Sequence, residues 1–216
     1  MPQLSFYQWF IFATFTVNII PVCIGGFGYK KLSPALRYIF FLALGSFVLD
    51  AIGRTLWINS RSNLFIGHFH TLVEFLLLAN AFRIALNGFV SNKVMQFIML
   101  GFAILAVLNT IFVQTLEFNN SYIKLFESLL FISFSLLYFY RLGKEMKIAN
   151  LEMDPMFWIS TGVLIYFAGS FFIFLYANFI LLYTQELGIR IWFVHAIFFL
   201  LFGLLNSIGL WISQKK

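Results

Sequence analysis

Charge is what this chain has least of. Charged residues make up 10% of its 216 positions, against roughly 25% in a soluble domain. A water-soluble fold keeps its charges outside, and here there are too few to cover the surface. A globular domain in water is therefore excluded. Cysteine is represented once, by Cys23. An intrachain disulfide framework is excluded, and no redox compartment follows. A basic region ahead of the first apolar run is lacking, since the first positive charge is Lys30. The far end of that run, GGFGYKK, has no small-residue cleavage pattern. The run is expected to be a retained membrane span, not a signal peptide. Internal repeats, low-complexity segments and connections long enough for a second domain are lacking too.

What fills the chain is apolar. Hydrophobic residues account for 62%, and Phe alone for 31 positions. The solvent implied is lipid. The net charge of +6 then marks topology and contact with anionic lipid heads, not nucleic acid.

A membrane span takes about 20 residues. Seven runs qualify, at about 5–28, 35–58, 64–86, 93–114, 121–142, 155–180 and 189–213. The fold class expected is all-α: one domain over 1–216, a bundle of seven transmembrane helices. Short connections make consecutive helices antiparallel neighbours. With the N-terminus outside, the inner side holds Lys30, Lys31, Arg37, Arg83, Lys93, Arg141, Lys144, Lys147, Lys215 and Lys216. The outer side holds Arg54, Arg61, Lys124 and Arg190. Ten against four favours N-out, C-in. Tyr7, Trp9, Trp57, Tyr138, Tyr140, Trp158, Trp192 and Trp211 read as interfacial belt residues.

The ionisable groups inside the spans collect in the expected outer half. The third span carries His68, His70 and Glu74. An intramembrane ionisable residue costs a few kcal/mol on insertion scales, and is by default a functional-site hypothesis. His70 and Glu74, one turn apart, share a face. His68 points away from Glu74 by about 120° at helical spacing and reads as structural. Ser46, Asp50 and Arg54 form a stripe on span two. Lys124, Glu127 and Ser128 share a face of span five, where Lys124 and Glu127 read as an intrahelical ion pair. His195 and Asn206 share a face of span seven. Burial is least costly if these faces converge. The expectation is an outward-opening polar pocket with His70, Glu74, His195, Asp50, Glu127 and Asn206 as ligand-binding residues. No catalytic residue follows from the pattern. His70, Glu74 and His195 form a possible metal set, although H-x-x-x-E is a weak signal. Retinal is not expected, because no Lys lies between Ile189 and Ser213.

Ser46, Asp50 and His195 faintly resemble the seven-helix zinc hydrolases that include alkaline ceramidases and progestin/adiponectin-type receptors. Phe199 stands where that family has a second His. GSFVLDAIGR and FIGHFH look somewhat like the early spans of the lysoplasmalogenase-like family. Ser170 in FAGSFF stands where that family has a late acid. KLSPALR, GHFHTLVEFLLL, ESLLFISFSLLYFYRL, FWISTGVLIYFAGS and HAIFFLLFGLLNSIGLW resemble, over nearly the whole chain, a family of small bacterial seven-helix membrane proteins. Its members are sensory or signalling-associated in appearance and bring no established activity. The resemblance implies a multi-pass protein of a bacterial inner membrane. The first reading of function is a receptor-like protein binding a small ligand, lipid or proton in the pocket. Lacking an output domain, it would signal through a partner at the basic inner loops. The alternative is a membrane-embedded lipid hydrolase, metal-dependent or lysoplasmalogenase-like, so the sequence leaves open whether the protein is an enzyme.

Overall fold

A computed structural model describes residues 6–145, 150–180 and 185–215. Lys147 and Lys216, two of the charges used for orientation, lie outside the described residues. All regular structure among the described residues is helical. The α-helices are α1 (Phe6–Val17), α2 (Ile19–Phe27), α3 (Pro34–Ile58), α4 (Leu64–Ala85), α5 (Asn92–Phe112), α6 (Ser121–Glu145), α7 (Pro155–Ile180) and α8 (Gln185–Ile212). The helices from α3 to α8 are six segments long and apolar enough to cross a membrane.

The first expected span differs. It is two helices broken at Asn18, not one. The cause is Pro21, four residues after Val17. Proline has no N–H to bond the Val17 carbonyl, and its ring crowds that carbonyl. α1 accordingly ends at Val17. Proline acts in the opposite sense at Pro34 and Pro155, which occupy first-turn positions where the missing N–H costs nothing.

Sequential helices pack as neighbours: α3 on α4, α6 on α7, α7 on α8. α8 also packs on α1, α2 and α3, and α2 packs on α3, so the chain closes on itself. α4 lies between α3, α5 and α6. Large side chains such as Phe27, Phe97, Phe112 and Phe172 stay exposed, as they should where the surroundings are hydrocarbon.

In such surroundings helices associate through dispersion contacts and close backbone approach. The centre is aromatic. Phe75 stacks on Phe102 with ring centroids 3.6 Å apart, Phe131 lies 5.3 Å from Phe75 and 4.9 Å from Phe167, and Phe82 lies 6.0 Å from Phe134. These rings join α4, α5, α6 and α7. Between α7 and α8 small residues permit contact. A Cβ on Gly209 would stand 2.8 Å from the Pro155 carbonyl oxygen, and one on Gly169 2.5 Å from the Phe198 ring. A ring can turn aside, whereas a backbone oxygen cannot. Gly209→Ala is therefore expected to lower stability by about 1–3 kcal/mol, the usual cost of overpacking. Equilibrium unfolding in mixed micelles measures it.

A buried ion cluster between α4 and α6 as candidate site

α4 and α6 run in the same direction, and their register follows from a chain of contacts. Asn120, just before α6, donates from Nδ2 to the Gly67 carbonyl at 3.2 Å and to Thr71 Oγ1 at 2.6 Å. One turn further along both helices, Lys124 meets Glu74. Beyond that, Phe131 meets Phe75 and Phe82. At the far end, Arg141 Nη1 donates to the Ala85 carbonyl at 2.6 Å. The Asn120 clamp thus sets the depth at which Lys124 enters the bundle.

The Lys124 ammonium lies between two carboxylates. It is hydrogen-bonded to Glu74 Oε2 and stands 3.2 Å from Glu127 Oε2. It also lies 5.7 Å from the centroid of the Phe174 ring. Glu74 is 2% exposed and Glu127 is fully buried. Glu127 Oε1 has no hydrogen-bond partner. On the other side of Glu74, His70 Nδ1 approaches its Oε2 at 3.4 Å. His70 Nε2 shares a hydrogen bond of 3.2 Å with Ser46 Oγ on α3. Since a carboxylate only accepts, Nδ1 carries hydrogen toward Glu74. In neutral His70, Nε2 then accepts from the Ser46 hydroxyl; in the imidazolium it donates.

The remaining expected site residues divide. Asp50 lies within electrostatic reach of His70, Arg54, Glu74 and Lys124. His195 lies within electrostatic reach of Lys124, Glu74 and His70. Its Nε2 is hydrogen-bonded to the Tyr166 hydroxyl at 3.3 Å, and Tyr166, Phe174 and Trp192 stand edge-on around its ring. Asn206 is buried on α8 with no hydrogen-bond partner on Oδ1. Eleven residues separate it from His195, the same face but about 16 Å further along the axis. His68 bonds away from the cluster, Nε2 donating to the Phe118 carbonyl at 3.1 Å and Nδ1 paired with Thr110 Oγ1 at 2.9 Å.

Within the cluster the charges of Glu74, Lys124 and Glu127 are packed directly against one another. Paired charges lose less by leaving water than separated ones, which favours this arrangement at a buried position. Among the described residues no group of three or more His, Cys, Asp or Glu is placed to hold a metal ion. Where a cation would sit between Glu74 and Glu127, the chain supplies the ammonium of Lys124. Tyr138, expected in the interfacial belt, is buried and hydrogen-bonded to Asp154.

The fold and site define an all-helical protein of multi-pass membrane type with an ion-paired cluster at its centre. Comparison of the chain with protein-family models, with curated proteins and with solved structures finds no match.

Proposed function

We propose that the chain is a seven-helix receptor-like protein of a bacterial inner membrane, N-terminus outside, whose central cluster responds to a proton or small polar ligand. α1 and α2 together would form the first span. One observation carries the reading: two buried carboxylates on different helices share a single ammonium. Glu74, Glu127 and Lys124 sum to one negative charge, which a proton on His70 or on Glu127 offsets. Buried charge without compensation is costly, so gain or loss of that proton changes how tightly α4 holds α6. Asp50 and Arg54 on α3, Tyr166 on α7 and His195 on α8 complete the titratable groups facing it. A change in helix packing would pass to a partner protein at the basic inner loops.

The test is thermal stability of the purified protein between about pH 5 and 8, the range in which histidine switches. The expected result is a pH-dependent profile that flattens in both His70→Ala and Glu74→Gln. A profile unchanged by both variants overturns proton sensing.

A second reading, lipid-ester hydrolysis, is favoured by Ser46. His70 presents Nε2 to a serine and Nδ1 to a carboxylate, the arrangement of a nucleophilic triad. In that reaction the Ser46 oxygen adds to an ester carbonyl and its proton passes to His70 Nε2. Collapse expels the alcohol, which takes up that proton. Water then repeats the sequence on the acyl-serine and releases the acid. A fluorophosphonate should label the wild type at Ser46 and leave Ser46→Ala unlabelled. Absence of label on folded wild-type protein excludes a hydrolase that uses Ser46 as nucleophile.

A further inference from the structure

The opposite end of the bundle holds a second polar feature, remote from the cluster. A cleft of about 500 Å³ opens among the ends of α4 and α6 and the start of α7. Its volume falls in the range of small-molecule sites. Ile84, Tyr138, Arg141, Leu142, Glu145 and Asp154 contribute to its lining. The lining carries both signs of charge. Arg141 is anchored by two bonds, Nε to Glu145 Oε1 at 2.9 Å and Nη1 to the Ala85 carbonyl. Two of the five guanidinium hydrogens are thereby used. Asp154 is fixed from both sides, accepting the Tyr138 hydroxyl on Oδ2 and the Met156 N–H on Oδ1 at 3.4 Å.

From this juxtaposition we infer that the cleft binds the headgroup of a zwitterionic phospholipid bearing a primary amine, its phosphate on Arg141 and its ammonium on Asp154 and Glu145. Guanidinium is matched to phosphate geometry and retains N–H groups to bond it. The two carboxylates accept from a primary ammonium. A quaternary ammonium would instead call for a cage of aromatic faces, and Tyr138 is the one aromatic ring in the lining. Among the described lining residues, an anionic headgroup without an amine meets two carboxylates against one Arg. The nearby basic residues Arg83, Lys93 and Lys144 would attract such a lipid to the surface, but the cleft itself opposes it. Ile84, Leu142 and Met156 supply the apolar wall that a glycerol backbone and upper acyl chains require. The cleft lies at the last residues of α4, the level of lipid headgroups beside a spanning helix. A lipid is thus favoured as the source of the phosphoester over a soluble molecule.

The full chain, in nanodiscs of equal parts phosphatidylethanolamine, phosphatidylcholine and phosphatidylglycerol, is released and read by native mass spectrometry. The expected result is retention of phosphatidylethanolamine about tenfold over each of the others, a difference of about 1.4 kcal/mol. Arg141→Gln and Glu145→Gln are each expected to reduce that preference to less than about threefold. Equal retention of the three lipids by the wild type overturns the proposal, whatever the variants do. A preference that survives in folded variants overturns the assignment to this cleft. Displacement of the retained lipid by millimolar phosphoethanolamine overturns the lipid as source.

Discussion

Lys124→Met is expected to destabilise the folded protein by about 3–5 kcal/mol, the cost of removing one partner from a buried ion pair. Methionine nearly matches the lysine stem in volume, so little packing is lost. What remains is electrostatic. Glu74 keeps only His70, and Glu127, fully buried with no partner on Oε1, keeps nothing charged within its own contacts. Both carboxylates are buried, at 2% and 0% exposure, so little water solvates the charge left behind. Adding Glu74→Gln and Glu127→Gln to Lys124→Met should recover most of the loss, because replacing a buried ion cluster wholesale is often neutral. Unfolding of the three proteins in mixed micelles gives the comparison. A single variant within about 1 kcal/mol of wild type would mean that the cluster is solvated like a surface pair, and the sensing role would lose its basis. A triple variant no better than the single one would trace the loss to shape instead of charge.

The helices were legible in the sequence because a lipid-exposed helix must be long and apolar throughout, a requirement that composition records residue by residue. The expected span at 35–58 is α3 at Pro34–Ile58, and that at 155–180 is α7 at Pro155–Ile180. Pro21 stands in plain view in the sequence, and the four-residue reach of a proline's clash fixes the break after Val17. The residues of the cluster were legible one helix at a time. His70 with Glu74, and Lys124 with Glu127, follow from helical spacing alone. Their union does not. Lys124 appears as the partner of Glu127 in sequence, and its contact with Glu74 spans 50 residues. That contact depends on α4 and α6 lying parallel in a register set by Asn120. No periodicity within one helix carries such information. Ser46 and His70 likewise meet only because α3 packs on α4. Asn206 shows the limit of a shared face. Sharing a face with His195 was legible, but a face extends the full depth of the membrane, and only depth brings residues together.

Phe131→Ala is expected to cost about 3–5 kcal/mol, as large-to-small changes at buried aromatic sites do. Phe131 is fully buried, with Phe75, Phe82, Phe134 and Phe167 ringed around it. Lipid tails cannot enter a site enclosed by four other rings, so the cavity stays empty and its lining loses dispersion contacts outright. An apolar cavity of this kind binds benzene or xenon, and saturating benzene should restore part of the lost stability. Phe131→Leu, which keeps most of the volume, should lose less and gain little from benzene. The position also separates two roles. Phe131 lies one turn beyond Glu127 on α6 and carries no charge, so the ion cluster keeps its members. If the proton response belongs to that cluster, Phe131→Ala should lower stability at every pH while preserving the pH dependence. A flattened profile would instead place the response in the aromatic packing that joins α4, α6 and α7, with the charges acting only through it.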